Sequence, residues 1–304
     1  LVFAIQNPTF PLINMTITSY SSLNSFPWVA IPIFVTVGAL VNEFEISSDI
    51  IEFTQATVGW LPGTVGNTAV YTAGAFSAIT GSNAATTASV GEALFEDMNG
   101  EGYEPEFSAA TIASGGTLGI IIPPSVLFIL YGVRFNVPVA DLFIAGLIPG
   151  LAMMGALSLY CSFKAYREGY GVGDYDADAG RMLRAAWRAK HAFATIAILI
   201  GGIFIGWFTP SEAAGAAFAY IIFTGVVAGR FDGFEQVLNG LETGVALIGI
   251  IVPIYVTSVL VQQSLSFVGL QDIIANAITG LPSVWLVIGA MILLMLITGS
   301  VLDS

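Results

Sequence analysis

Residues 75–91 read AFSAITGSNAATTASVG, and the fold turns on how this string is taken. Apolar runs flank it, Val65 to Ile79 before and Ala84 to Leu94 after. Each alone is too short to match the roughly 20 apolar residues that a spanning helix needs. Between them lies the small polar cluster ITGSNAATTAS. Short apolar segments that meet at a Gly/Ser-rich break read as a re-entrant hairpin with its tip at membrane depth. The alternative is one long helix with a polar kink near Gly81.

The rest of the chain is the right solvent for such a hairpin. Of 304 residues, 56% are hydrophobic and only 10% charged, and mean hydropathy is +0.84. A soluble domain carries about a quarter charged residues, so this composition excludes one, and it excludes disorder as well. The net charge of -13 excludes a basic nucleic-acid-binding surface. A single cysteine, Cys161, allows no internal disulfide, and the lone His191, in the basic run RAAWRAKHAF, has no partner for a multi-histidine metal site. The expected fold class is an all-α polytopic membrane protein. Apolar runs that approach a span are Pro27–Val41, Ala109–Tyr131, Leu142–Phe163, Phe193–Phe208, Ala213–Ala228 and Val245–Val261, with a closing run, Val284–Ile297, that ends in TGS. The chain starts at Leu1 and stops at VLDS directly after an apolar run, which reads as an internal piece of a longer membrane protein.

Lys164, Arg167, Arg181, Arg184, Arg188 and Lys190 share one loop, and Arg230 lies two apolar segments later; only Arg134 is elsewhere. The positive-inside rule makes the shared side cytoplasmic. Counting outwards from it, the Gly81 hairpin opens to the cytoplasm, while the segment ending at Gly299 enters from the opposite face.

Two distant stretches resemble one another. IPIFVTVGALV, Leu61-Pro62 and ITGS at Ile79–Ser82 recur in order as VPIYVTSVLVQ, Leu281-Pro282 and ITGS at Ile297–Ser300. The separations Pro32 to Pro253, Pro62 to Pro282 and Gly81 to Gly299 are 221, 220 and 218 residues. Repeats in opposite orientation mark secondary transporters, whose site lies between them near the midplane.

Three clusters can carry chemistry. At the first tip, a helix restarting near Ser82 or Asn83 exposes N–H groups that suit an anion, and the carbonyl end of the preceding half-helix can ligate a small hard cation. Close packing through small residues is the bland reading there, for Thr86 and Thr87 above all. In ASGGTLGIIIPPSVLFILYG, Gly115-Gly116-Thr117 loosens packing, and Pro123-Pro124 with Ser125 interrupts the helix ladder in an apolar segment. A plain proline kink is the alternative. Tyr131 is either a ligand contact or an interfacial anchor. At the second tip, Thr298-Gly299-Ser300 precedes Asp303, either an intramembrane carboxylate or an exposed cap. In TPSEAAGAAFAY, Thr209, Pro210 and Glu212 spell a helix capping box, with an ion-linked role for Glu212 as the rival. The acidic stretches FEDMNGEGYEPEF and GVGDYDADAG read as solvated surface.

The strings AIPIFVTVGAL, LPGTVGNTAV, AFSAITGSNAATTASVG, ASGGTLGIIIPPSVLFILYGV, LFIAGLIPG, GWFTPSEAAGAAFAY and ITGSVLDS, spread in order from Ala30 to Ser304, resemble the large membrane subunit of tripartite ATP-independent periplasmic (TRAP) transporters. Arg134, the Asn83 spelling of the tip and the acidic loops depart from the pattern. The resemblance implies an inverted-repeat, elevator-type transporter with re-entrant hairpins and broken helices, driven by Na⁺ as coupling ion, without other cofactor and without enzymatic activity. It implies as partners a small TRAP membrane subunit and an extracytoplasmic substrate-binding protein that delivers an organic acid such as a C4-dicarboxylate or sialic acid. Carried over residue by residue, the site comprises Gly81, Ser82, Asn83, Thr86, Gly115, Gly116, Thr117, Pro123, Pro124 and Ser125, with Gly299, Ser300 and Asp303 at the second tip. A Na⁺ site falls among Ser82, Asn83, Gly116 and Gly299.

The expected organisation is a partial helix end and extracytoplasmic loop over 1–25 and a first repeat over 26–133. A connecting membrane helix over 134–163 and a basic cytoplasmic loop over 164–191 follow. Two membrane helices over 192–229 then lead into the start of a second repeat over 230–304. Rival readings are a stand-alone inverted-hairpin carboxylate symporter without a binding protein, an intramembrane hydrolase using Ser82 or Ser300, and a non-transporting scaffold. The hydrolase needs a base within hydrogen-bond reach of the serine, and His191 lies far from either tip in the sequence.

Overall fold

A computed structural model describes residues 12–24, 26–171, 178–231, 233–279 and 283–301, and among these every regular element is helical. In chain order, α1 is Leu12–Leu23, a 3-10 turn covers Phe26–Val29, α2 is Ala30–Glu43 and α3 is Ile46–Val58. The hairpin helices are α4, Thr64–Thr80, and α5, Asn83–Gly100. The broken helix consists of α6, Pro105–Gly116, α7, Leu118–Ile121, and α8, Val126–Phe135. Then come α9, Val139–Glu168, α10, Ala179–Arg188, and α11, Lys190–Ile196, which passes through a π-turn, Ala197–Gly201, into α12, Gly202–Phe204. Helices α13, Pro210–Val227, α14, Phe234–Phe267, α15, Leu270–Thr279, and α16, Val284–Val301, complete the chain. Among the described residues, four stretches are long and apolar enough to cross a bilayer: Pro105–Phe135, Val139–Glu168, Pro210–Val227 and Phe234–Phe267; α2 and α3 together add a fifth if the bent pair counts as one span. The protein is an all-α polytopic membrane protein.

The chain divides into two compact units, residues 24–251 and residues 1–23 with 252–304. In the larger unit α4 is the central helix. It is buried nearly all round, from Thr64 to Thr80, as expected of a helix that carries small and apolar residues on every face. It packs against α3, α5, α6, α7 and α9. Its polar side chains are satisfied internally. Asn67 Nδ2 donates to Pro62 O at 2.8 Å and to Ser162 Oγ at 2.9 Å, while its Oδ1 accepts from Ser158 Oγ at 2.6 Å. Thr54 and Thr72 hydroxyls meet at 2.6 Å across the α3–α4 contact. We predict that Asn67→Leu destabilises the protein by about 1–3 kcal/mol, because it strands both α9 hydroxyls and the Pro62 carbonyl in the interior. Thermal unfolding in detergent reads this directly, and an unchanged midpoint would show that the α4–α9 contact does not depend on the network.

Helix α3 was not visible in the apolar pattern, because Asp49 and Glu52 interrupt it. It leaves α2 at a bend of 77°. Glu45 makes the corner with φ 54, in the left-handed region that costs an L residue roughly 1–2 kcal/mol. Arg230 compensates. Its guanidinium donates to Phe44 O and Glu45 O at 3.3 and 3.4 Å, supplying the carbonyls that a helix end leaves without partners, and pairs with Asp49 in the first turn of α3 at 2.9 Å. One turn further along α3, Glu52 takes two hydrogen bonds from Arg188, at 3.0 and 2.9 Å. The first half of α14 lies on α2 through Gly240 and Gly244; a Cβ at Gly244 would stand 2.8 Å from Pro32 O.

Other expectations fare unevenly. Thr209 and Glu212 form the capping box, with Glu212 Oε2 accepting from the Thr209 N–H at 2.8 Å and Thr209 Oγ1 accepting from the Glu212 N–H at 3.4 Å. Helix continues beyond Leu94 through the acidic stretch to Gly100, since Glu and Met are good helix formers whatever their solvation. Part of the basic stretch after Lys164 is also helical, as the end of α9 and as α10. At the second ITGS the structure differs from the sequence reading: α16 runs unbroken through Thr298, Gly299 and Ser300 to Val301. Thr298 Oγ1 donates back to Leu294 O at 2.9 Å, so its hydroxyl is satisfied within the helix. Leu281-Pro282 and Asp303 lie outside the described residues. In the smaller unit the turn from α14 to α15 passes through Gly269 at φ 75, a left-handed residue like Glu45 at the α2–α3 corner.

Candidate substrate and ion site

The chain turns back at Gly81-Ser82. Thr80 ends α4, Gly81 takes φ 61 with its N–H on Ser77 O at 3.1 Å, and Ser82 opens α5 as N-cap, its Oγ accepting from the Ala85 N–H at 3.4 Å. Glycine is required at 81 on two counts. Its backbone is left-handed, and a Cβ there would lie 2.5 Å from Pro124 O. The two arms are antiparallel: at the far end the Gly66 N–H, in the first turn of α4, donates to the Tyr103 hydroxyl, just after α5, at 3.4 Å. Burial pushes the Tyr103 phenol up to about 12, so it stays a neutral hydroxyl at that position. Tyr103 stacks on Tyr170, ring centroids 4.7 Å apart, and the Gly63 N–H donates to Gly171 O at 3.0 Å. The base of the hairpin therefore sits at the end of α9 that leads into α10.

The second break is in the α6–α7–α8 run. Thr117 Oγ1 turns back to Ser114 O at 2.7 Å where α6 gives way to α7. Proline carries no N–H, so Pro123 and Pro124 withdraw the donors that a continuous helix would send to Gly119 O and Ile120 O. Ser125, fully buried, replaces one of them: its Oγ donates to Ile120 O at 2.8 Å. The ladder then resumes at Ile129 N–H to Ser125 O, 3.2 Å.

These two breaks are the same place. A Cβ at Gly119 would stand 2.6 Å from Ser82 O, one at Gly116 would overlap Thr87 Oγ1 and lie 2.7 Å from Asn83 Oδ1, and Gly81 rests on Pro124 and Ser125. The tip is clasped between the glycine face of α6–α7 and the Pro-Pro turn. Thr86, buried, shares a 3.0 Å hydrogen bond with Thr80 across the tip, and Thr87 Oγ1 donates to Asn83 Oδ1 at 3.1 Å. Gly115 lets α6 approach α4, with Ala73 Cβ 3.1 Å from where its own Cβ would be. The helix ends supply the electrostatics: the carbonyl ends of α4 and α7 and the N–H ends of α5 and α8 meet here, partial negative charge beside partial positive.

So Gly81, Ser82, Asn83, Thr86, Gly116, Pro124 and Ser125 come together at the tip, while Gly115 packs on Ala73 below it and Thr117 bonds back within its own helix. In the smaller unit, a Cβ at Gly299 would meet nothing within 4 Å. Sequence reading missed Gly119 and Thr80. Gly119 was legible, being four residues from Gly115, the small-residue spacing of close helix crossings. Missed too was a groove of about 660 Å³ beside the tip, lined by Ser82, Ala84 and Ala85 of α5, Glu43 of α2, and Asn239, Glu242 and Thr243 of α14. It is large enough for a small ligand, but its charged side chains are carboxylates, which suit a cation and disfavour an organic acid. His191 contacts Tyr220 at 3.1 Å, away from this cluster, and Cys161 is a buried free thiol.

The family model of the tripartite ATP-independent periplasmic transporter, DctM component, matches residues 1–304. The chain belongs to the DctM family. Among its DctM relatives, the C4-dicarboxylate TRAP transporter large permease protein DctM of Vibrio cholerae is 35% identical over 199 residues, 64% of this chain and 43% of that protein. The sialic acid TRAP transporter large permease protein SiaM of the same organism is 31% identical over 233 residues, 76% of this chain and 54% of that one. The isethionate TRAP transporter permease protein DctMQ of Oleidesulfovibrio alaskensis is 34% identical over 213 residues, 70% of this chain and 33% of that one. The chain thus spans a third to about half the length of these curated relatives. They are named as permeases rather than enzymes.

Proposed function

We propose that this protein is the core of a sodium-driven importer of an organic acid anion, fed by an extracytoplasmic binding protein and working with a small membrane subunit. The observation that carries the reading is the seating of the Gly81–Asn83 tip inside the Pro123-Pro124 break. Broken helices at bilayer depth are costly unless they face protein, water or an ion, and here two of them are assembled against each other. The carbonyl ends of α4 and α7, with Ser82, Asn83 and Gly116, are the proposed Na⁺ ligands. The N–H end of α5 is the proposed partner of the substrate carboxylate. Substrate names on the relatives point to a dicarboxylate, sialic acid or a similar small carboxylate. One feature of the fold supports the proposed sidedness: Arg188 and Arg230, from separate segments, both pair with α3, one turn apart, which gathers two of the basic residues at the Asp49–Glu52 end of that helix. We take that end as cytoplasmic, and the movement as an elevator in which hairpin and broken helix travel together.

Ion and substrate binding are reciprocally coupled, each raising the affinity for the other. The test is uptake of labelled dicarboxylate and sialic acid by the full-length protein with its neighbouring small subunit and binding protein in proteoliposomes. Uptake should require an inward Na⁺ gradient and the binding protein together. Uptake undiminished when choline replaces Na⁺ would overturn sodium coupling. Uptake that needs Na⁺ but no binding protein would make the protein a stand-alone symporter.

A further inference from the structure

Helix α10, Ala179–Arg188, has no part in the site, yet its surface is unusual for this chain. It follows the spanning-length helix α9 and precedes the shorter apolar helix Lys190–Phe204. At 100° per residue, Arg181, Arg184 and Arg188 fall within about 60° of one another on the helix. Ala185 and Ala189 are buried, and α10 packs on α3. Leu183 and Trp187, one turn apart, are 74% and 71% exposed. A groove of about 580 Å³ runs along this face, lined by Leu183, Arg184, Ala186, Trp187 and Arg188. Lys190 Nζ stands 4.6 Å from the Trp187 ring centroid. In a protein of net charge -13, three of the eight basic residues, Arg184, Arg188 and Lys190, border this one apolar ridge.

We propose that α10 is a docking site for an anionic phospholipid of the adjacent leaflet. Arg184 and Lys190 hold the headgroup phosphate, and the Leu183–Trp187 ridge lies against the acyl chain, the arrangement by which a basic amphipathic helix seats at an interface. Arg184 is released for this at little cost, since its contact to Asp178 is 3.6 Å long with both side chains exposed. Arg188 is committed instead to Glu52, so a lipid gripped by α10 is coupled to α3 and, through the α3–α4 contact, to the hairpin.

The experiment uses the full-length protein in phosphatidylcholine vesicles that contain either brominated phosphatidylglycerol or brominated phosphatidylcholine as the quenching lipid. The difference in tryptophan fluorescence between wild type and Trp187→Phe isolates the Trp187 signal. Phosphatidylglycerol should be enriched about thirtyfold over phosphatidylcholine at Trp187, from two cationic groups acting at the surface. The preference should vanish in the Arg184→Gln/Lys190→Gln variant and weaken as salt is raised. Equal quenching by the two lipids overturns the proposal, as does a phosphatidylglycerol preference that survives the double substitution. The wild-type comparison stands even if the variant folds poorly.

Discussion

Replacing Gly116 by alanine should cut uptake in the proteoliposome assay proposed above by about a hundredfold. The added Cβ would overlap Thr87 Oγ1 and sit 2.7 Å from Asn83 Oδ1, so the hairpin tip must back out of the broken helix. Overpacking of this kind costs about 1–3 kcal/mol in stability, which a protein of this size tolerates. The larger effect is on geometry: an ångström-scale displacement of ligand-positioning groups can cost about a hundredfold in rate. The signature is therefore a protein that inserts and melts nearly normally but does not transport. Removing the obstructing hydroxyl with Thr87→Ala in the same chain should recover part of the loss, although Asn83 Oδ1 still crowds the new methyl. Gly155→Ala is the control, because a Cβ on that helical residue meets nothing within 4 Å; it should be neutral or slightly stabilising. Full uptake by Gly116→Ala would show that the tip does not need its seat in the broken helix.

Arg230→Gln should be the most destabilising single change outside the hairpin, by about 2–3 kcal/mol. Asp49, its side chain only 12% exposed, would lose its countercharge, and Phe44 O and Glu45 O would lose their donor at a corner that already holds a left-handed Glu45. Breaking a fully buried pair costs about 3–5 kcal/mol, and the 34% exposure of Arg230 reduces that figure. Adding Asp49→Asn to the Arg230→Gln variant should restore part of the stability, since the buried charge is then gone. Thermal unfolding of the single and double variants gives the coupling energy. If Arg230→Gln melts as wild type does, the α2–α3 corner is held by packing alone, for instance by Phe44 against Gly225.

The hairpin was legible because its signals are local. A run of small polar residues between two short apolar segments needs no tertiary information, and Gly81 and Ser82 lie where the chain turns. The broken helix was legible for the same reason, since two prolines cannot donate. What the sequence did not reveal is that the two breaks coincide, because the contacts of Gly116 and Gly119 with the tip depend on how α5 and α6 cross. Helix α3 was missed because its apolar face is interrupted by Asp49 and Glu52, whose charges are answered by Arg230 and Arg188 from segments well over a hundred residues away. The second ITGS shows the converse. The same four letters lie within α16, whereas at Gly81 they turn and rest on the Pro124–Ser125 surface.

The hairpin is pinned at both supports, its base by Asn67, Gly66 and Tyr103 and its tip by the glycines and the Pro-Pro turn. A beam fixed at both ends passes on displacement and absorbs very little. In the elevator proposed above, hairpin and broken helix would then move as one part, and the opening that releases the cargo would have to form somewhere other than this first tip.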